Sequence, residues 1–163
     1  MSSSCIVLAI ASGGGHWRQL MQLKQVLPHK HTVYATPLGR SETGLTNEAY
    51  VQITDGNRNT FFRLLYCLLQ LLSLILRMRP KVIISTGAAP GVLAMIIGKR
   101  FGAECLFIDS IANASELSMS ARLAKRQGIL VYSQWPDVAD REGVEYAGAV
   151  FAGLTGASDK EAV

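Results

Sequence analysis

Short apolar runs alternate with helix-like segments along this chain, and this alternation limits its fold more than any other feature. The strand-like runs cover residues 5–11, 32–36, 82–85, 105–108 and 129–132. Helical patterns recur between them, over residues 16–27, 91–101 and 117–126. Strands that alternate with helices in this way form a parallel sheet with helices on both faces. We therefore predict an α/β fold with a Rossmann-like parallel sheet.

The chain has 163 residues, a length that suits one domain with a sizeable core. We predict a single domain over residues 1–155 and a disordered tail over 156–163, where the residues are small and polar. Cys5, Cys67 and Cys105 lie in apolar runs without the spacing of metal ligands. We expect them to be buried, reduced thiols of a cytosolic protein. The N-terminus lacks the basic segment of a signal peptide.

Charge is distributed unevenly along the chain. Residues 1–103 hold 11 Lys and Arg against 3 Asp and Glu, whereas residues 104–163 hold 5 against 9. A basic, leucine-rich first part indicates an anionic partner: a membrane surface, a phosphate group or a nucleic acid. Aromatic residues make up only 7% of the chain, and no nucleic-acid-binding motif is present, so we expect no nucleic-acid partner.

The segment "FFRLLYCLLQLLSLILRMRP", residues 61–80, is apolar around most of a helix. Its polar residues Arg63, Gln70 and Arg77 recur every seven positions and form one narrow stripe. Two alternatives stay open: a fully buried core helix, or a helix that packs on the sheet and meets lipid or a partner subunit with its other side. A transmembrane span is disfavoured, because the uncharged stretch 64–76 is shorter than the roughly 17 residues a span needs.

Bases surround this segment, and residues 56–103 contain no acid. An apolar helix framed by bases is typical of attachment to anionic headgroups. The residues predicted to meet the membrane are Phe61, Phe62, Arg63, Leu65, Leu69, Leu72 and Arg77.

Two glycine-rich turns, "ASGGGH" and "STGAAPG", each follow a predicted strand and precede a helix. In a parallel sheet such turns line one crevice, where helix N-termini present unpaired N–H groups to an anion. A dinucleotide fingerprint is broken, because Arg18 occupies the third glycine position; Arg40 leaves a site for NADP as a weak alternative. A phosphate-binding P-loop is absent, and no carboxylate lies at ligand spacing from the histidines, so we predict no metal site.

His16 lies at the expected start of the first helix. The partial positive charge there favours a neutral imidazole, which is the form a general base needs. This position is consistent with two roles for His16. It is either a general base or a residue that only caps the turn or touches a ligand.

Four segments in order, "ASGGGHWRQLMQL", "STGAAPGVLAMIIGKRFGA", "FIDSIANASELSMSARLAKRQ" and "VYSQWPDVADREGVEYAGAVF", resemble the acceptor-binding subunit of two-part UDP-sugar transferases. This family includes the eukaryotic membrane subunit of the dolichol-linked GlcNAc transferase and bacterial PssD-type exopolysaccharide enzymes. The chain also resembles the N-terminal half of MurG. The resemblance implies the N-terminal domain of a GT-B glycosyltransferase, placed on the cytoplasmic face of a membrane. Without the eukaryotic subunit's N-terminal anchor, attachment would depend on surface helices.

The resemblance also implies the partners. A polyprenyl-pyrophosphate glycolipid would be the acceptor, a UDP-sugar the donor substrate, and a separate donor-binding subunit would complete the active site, with no further cofactor. The implied catalytic residues are His16 and Asp109, which is Asp where the family usually has Glu. The residues predicted to bind acceptor or phosphate are Ser12, Gly13, Gly14, Gly15, Thr86, Gly87, Pro90, Ser110 and Asn113. Gln134, Trp135 and Pro136 are predicted to contact the partner subunit.

Two functions remain open at this point. The chain is either half of an inverting transferase that is inactive alone, or a non-catalytic membrane scaffold that recruits and activates the catalytic subunit. An intact glycine turn followed by His16 favours the first. A free-standing nucleotide-binding protein is a third, weaker interpretation, because it leaves the apolar segment 61–78 without a purpose.

Overall fold

The computed structural model describes residues 5–55 and 61–148. Seven strands, β1 to β7 in chain order, cover Val7–Ile10, Thr32–Thr36, Ala49–Gln52, Val82–Ser85, Glu104–Ile108, Leu130–Ser133 and Glu145–Tyr146. Six helices, α1 to α6, cover Gly15–Leu23, Arg40–Thr43, Phe61–Met78, Ala88–Arg100, Met119–Arg126 and Pro136–Glu142. The predicted tail and the domain boundary at residue 155 lie outside the described residues.

All seven strands form one parallel sheet in the order β3-β2-β1-β4-β5-β6-β7. The chain runs outward from β1 to one edge, returns through α3, and then runs outward from β4 to the other edge. The order therefore reverses between β1 and β4, where Ile10 pairs with Ser85. Ligands of open α/β sheets bind at the carboxyl ends of the strands beside such a reversal.

Successive residues of β1 enter two separate apolar cores. Leu8 and Ile10 lie in a core with residues of α3, α4 and α5. Ala9 lies in a second core with Trp17 and Leu20 of α1. A central parallel strand is covered on both faces and so is apolar at every position, as "VLAI" is. The predicted α/β fold, with helices on both faces, is confirmed.

Elements missed by the sequence analysis lie mostly at the sheet edges. The edge strand β3, "AYVQ", is only half-buried and lacks a continuous apolar run. The other edge strand, β7, has two residues. Helix α6 carried a readable signal, because it begins at Pro136 and ends before Gly143, which is left-handed with φ 58°.

Helix α3 is mostly exposed. Its buried residues, Cys67, Leu71 and Ile75, are four positions apart and form one stripe against the sheet and α4. Leu65 and Leu69 point away, with 43% and 56% of their surface exposed. The alternative of a fully buried helix is wrong, because one apolar stripe meets the sheet layer and nothing described covers the rest. By length and mean hydropathy (1.7), α3 is the one helix in the described ranges that could cross a membrane.

The three cysteines are free thiols in different environments. Burial raises the pKa of both Cys67 and Cys105 to about 11, so these thiols stay protonated and unreactive at neutral pH. Cys5 is exposed, and the prediction that it is buried is wrong. It lies two residues before β1, at the amino ends of the strands.

Candidate functional site

The candidate site is the crevice at the carboxyl ends of β1 and β4. Residues 11–14 connect β1 to α1, and residues 86–87 connect β4 to α4. Gly14, with φ 67°, and Gly87, with φ 135°, immediately precede the two helices. Ala88 follows in the left-handed region, with φ 68°, a conformation that is strained for a residue with a side chain. The two glycine-rich turns therefore meet at one crevice, as their positions after adjacent strands predict.

Two hydrogen bonds join these turns across 70 residues of sequence. The Thr86 hydroxyl donates to the backbone oxygen of His16 over 2.6 Å, and His16 Nδ1 lies 2.9 Å from the backbone oxygen of Thr86. A carbonyl oxygen only accepts, so Nδ1 carries the proton in this contact. A neutral ring held in this way has its lone pair on Nε2. The fold thus fixes the tautomer that a general base requires.

Gly87 is the residue that allows His16 to sit there. A Cβ at Gly87 would lie 2.5 Å from Cε1 of the His16 ring and closer still to Nδ1. The positive φ of Gly87 also disfavours any residue with a side chain. The glycine in "STGAAPG" is therefore explained by the imidazole packed against it.

The first turn, Ser12 to Gly15, is open to solvent. Gly14 and Gly15 are exposed, and no side chain caps the helix that follows them. The first hydrogen bond of α1 runs from Arg18 N to Gly14 O, so the N–H groups of the first turn have no partner within the helix. A Cβ at Gly15 would meet nothing within 4 Å. An anion therefore has free access to these donors.

The second turn is closed by comparison. Thr86 is fully buried, and its hydroxyl already bonds to His16; Pro90 is buried as well. These side chains shape the crevice wall and hold His16. Of the residues predicted to bind phosphate, the exposed ones lie in the first turn.

Asp109 is 2% exposed, and its carboxylate organises the loop after β5. One oxygen accepts from the Ser110 N–H and from the Asn113 side chain, and the other accepts from the Ser118 N–H. Ser118 in turn caps α5 by accepting from Ala121 N–H. The carboxylate and the Asn113 amide are thus engaged within the protein, on the loop that borders the crevice.

A buried polar chain connects this loop to α1, and sequence reasoning missed it. Gln19, 3% exposed, donates to Ser110 Oγ over 3.1 Å. Gln134 donates to Gln19 Oε1 and to Asp109 O, both over 2.8 Å. The one available signal was a glutamine next to Leu20, on the apolar side of α1. These bonds fix α1 and the loops after β5 and β6 relative to one another.

The segment predicted to contact a partner divides into buried and exposed parts. Gln134 is 4% exposed and is used inside the fold, so it offers no surface to a partner. Trp135 is 38% exposed, with its indole N–H bonded to Ile111 O, and Pro136 is exposed. The predicted partner surface is thereby restricted to Trp135 and Pro136.

The outer side of α3 carries six of the exposed large apolar side chains of the described residues. We call it the α3 face; it comprises Phe61, Phe62, Leu65, Tyr66, Leu69 and Leu76. Leu72, predicted to meet the membrane, is partly buried instead. Arg63 and Arg77 are exposed beside this face. Exposed apolar area of this kind marks an interaction surface.

No family model matches the chain, and no curated protein sequence matches it. Solved structures do match. MurG from Acinetobacter baumannii aligns with a TM-score of 0.63 at 13% identity, over 81% of this chain. UDP-GlcNAc 2-epimerase from Methanocaldococcus jannaschii aligns with a TM-score of 0.61 at 14% identity, over 87%. A glycosyltransferase from Rickettsia africae gives 0.55 at 14% identity, over 81%.

These likenesses show the fold. The chain spans 42%, 44% and 37% of those three proteins, so it matches less than half the length of each. The matched part corresponds to the N-terminal domain of GT-B proteins, and the resemblance to MurG holds at this level.

Proposed function

We propose that this chain is the acceptor-binding half of a UDP-sugar-dependent glycosyltransferase that works at a membrane surface. The observation that carries the proposal is the fixed His16 imidazole, whose Nδ1 is held by Thr86 O beside an open glycine turn. In this arrangement Nε2 takes the proton from the attacking sugar hydroxyl while the donor's UDP leaves. General bases of this kind contribute about 10²- to 10⁴-fold in rate.

The first turn receives the acceptor's diphosphate. Gly14 and Gly15 let the phosphate approach the backbone, and the unpaired N–H groups of α1 supply donors with a partial positive charge. Ser12, partly buried at the start of this turn, contributes a hydroxyl. His16 follows directly, so the diphosphate and the base are held by consecutive residues.

In this proposal Asp109 positions a loop beside the site and does not contact the substrate. Its oxygens accept three hydrogen bonds from its own loop, and it is nearly fully buried. We assign it the task of holding the loop, with Ser110 and Asn113, at the rim of the crevice. This assignment replaces the catalytic role that the family resemblance implies.

The donor is bound by a second domain, which we place on a partner subunit. The neighbouring structures are more than twice as long as their match to this chain, and one of them is named for UDP-GlcNAc. Trp135 and Pro136 are the surface we assign to the subunit contact. Aromatic residues are enriched at such interfaces.

The membrane is met by the α3 face. Its exposed phenylalanines and leucines enter the interface between headgroups and acyl chains, and Arg63 and Arg77 bind anionic headgroups. The 13 uncharged residues between these arginines span about 20 Å, which is short of the roughly 30 Å hydrocarbon core. The helix therefore lies in the surface and does not cross it. We place this helix on the cytoplasmic face of the membrane.

Reconstitution tests the proposal. The chain and a donor-binding subunit recovered by co-purification with it are purified separately and assayed, alone and mixed, with a panel of UDP-sugars and a polyprenyl-pyrophosphate acceptor. We expect transfer only from the mixture. Transfer by the single chain would overturn the two-subunit assignment. Activity of the mixture that survives loss of His16 would favour the scaffold alternative.

A further inference from the structure

A second recess lies at the opposite end of α3 from the crevice. It is a cavity of about 380 Å³ between the last turns of α3 and α4. Its lining residues are Ile75, Leu76, Arg79, Pro80, Lys81, Phe101 and Gly102. The volume is in the range of small-molecule sites, about 300–1,000 Å³. Since α3 has 18 residues, this recess is about 27 Å from the first turn of the helix, which lies at the carboxyl-end side of the sheet.

The walls of the recess are of two kinds. Arg79 and Lys81 are exposed and, within the described residues, make no side-chain hydrogen bond or ion pair. Leu76, also part of the α3 face, and Phe101, 59% exposed, form an apolar rim beside them. Two exposed cations beside an exposed apolar rim match a phosphate group that carries acyl chains.

The local charge is positive even after opposing groups are counted. The bases Arg77 and Arg100 lie at the ends of the two helices and add to Arg79 and Lys81. Against them stand Glu104, whose N–H bonds to Lys81 O, and two helix C-termini of about half a negative charge each. Four bases thus outweigh about two negative charges.

Arg79 occupies a backbone conformation that favours glycine. Its φ is 47°, and it follows directly on the last residue of α3, Met78. Helices commonly end on a left-handed glycine, because other residues pay for that conformation in backbone strain. An arginine here therefore gives up stability that a glycine would provide. Strain that persists at one position motivates a functional hypothesis for its side chain.

We propose that this recess binds the phosphate headgroup of an anionic membrane phospholipid, with Arg79 and Lys81 on the phosphate and the acyl chains leaving past Leu76 and Phe101. The inference rests on the proposed attachment of the α3 face to the membrane and adds a specific site to it. Headgroups bound at Arg63 and in the recess hold both ends of α3 at the bilayer. The crevice is thereby kept at a fixed height above the surface.

Short-chain dihexanoyl phosphatidylglycerol, below its critical micelle concentration, tests the site without a membrane. We expect saturable changes in the amide NMR signals of Arg79, Lys81, Phe101 and Gly102, and weaker changes with inorganic phosphate. Equal responses to both would show a free-phosphate site and overturn the lipid assignment. No response at these amides would overturn the site altogether.

Vesicles of phosphatidylcholine with phosphatidylglycerol test the site in its setting. Arg79→Gly should lower the partition coefficient about fivefold, the effect of one base near an anionic surface, and raise the melting temperature by about 2–4 °C. Arg126→Gln, which removes an exposed base from α5, is the matched control and should bind like the wild type. Equal losses in both variants would reduce the effect to net charge and contradict the site.

A double variant of the α3 face, Leu65→Gln with Leu69→Gln, separates the two proposals. Loss of vesicle binding with the short-chain lipid response retained supports both. Vesicle binding that this variant leaves unchanged would overturn attachment by the α3 face. In that case the short-chain lipid experiment still tests whether the recess binds a phospholipid headgroup.

Discussion

The crevice and the α3 face are both exposed to solvent. They differ in which features of the structure determine their interactions. At the crevice, single atoms decide the arrangement: Thr86 O sets the tautomer of His16, and the missing Cβ of Gly87 makes room for the ring. On the α3 face, six apolar side chains of similar character lie side by side. Replacing any one of them with another apolar residue should change little. Here the total apolar area and the surrounding charge set the interaction.

This difference predicts how each region responds to substitution. A single methyl group added against the His16 ring should disable the protein, whereas the α3 face should tolerate single changes and respond to paired ones. Variants that reverse this order would break the comparison.

The largest effect is expected from Gly87→Ala. The new methyl would overlap the His16 ring, and the positive φ would be strained, so the ring must leave its place. We expect turnover of the reconstituted pair to fall by about 10²-fold or more, with a loss of about 1–3 kcal/mol in the free energy of unfolding. Steady-state kinetics and urea unfolding measure the two effects.

Gly15→Ala is the control for that variant. A Cβ there meets nothing within 4 Å, and alanine suits a helix start, so the fold should keep its stability. If the diphosphate approaches this turn, acceptor KM should rise while kcat changes little. An unchanged KM would contradict the proposal that the diphosphate binds at this turn.

Two leucines two positions apart on α3 compare its buried and exposed sides. Leu71 is fully buried, so Leu71→Ala should lower the free energy of unfolding by about 2–5 kcal/mol. Leu69 is 56% exposed, and Leu69→Ala should cost less than about 1 kcal/mol. Similar losses from both, in urea unfolding of the full chain, would mean that the α3 face is covered in solution.

The fold was predictable from β1, β4 and the glycine turns, because their sequence signals are local. Seven neighbouring apolar residues, as in the run 5–11, or three consecutive glycines can be recognised without knowing what they contact. The environment of Asp109 was not predictable in this way, since the carboxylate is surrounded by its own loop and by Ser118, nine residues away. The burial of α3 was also undecided, because periodicity cannot tell which stripe the sheet covers.

Charge beside the α3 face should affect binding to anionic membranes. Arg63→Glu with Arg77→Glu reverses two charges beside the apolar surface, and binding to anionic vesicles should drop by about tenfold or more, with the difference shrinking at high salt. Flotation at two salt concentrations measures this. If the double variant binds vesicles like the wild type, a lipid contact for this side of the helix is excluded.

The smallest expected effect lies away from both regions. The hydrogen bond from Lys24 in their ion pair, followed by hydrogen bonds from backbone N–H groups, lowers the pKa of Glu48 to about 2. A lowered carboxyl pKa stabilises the fold above about pH 4.5, and this stabilisation is lost as the pH falls toward 2. Because the pair lies near the surface, it contributes at most about 1 kcal/mol. Glu48→Gln should flatten the unfolding free energy between pH 5 and pH 2.5; a slope identical to the wild type would assign that pH dependence to other groups.

The central claim, that a fixed His16 is the base of a sugar transfer, is tested most directly by His16→Asn in the reconstituted pair. The asparagine amide can still donate to Thr86 O near the position of Nδ1, but it carries no lone pair in place of Nε2. We predict that kcat falls by about 10²- to 10⁴-fold while acceptor KM and thermal stability stay close to the wild type. A wild-type kcat for His16→Asn would contradict the account.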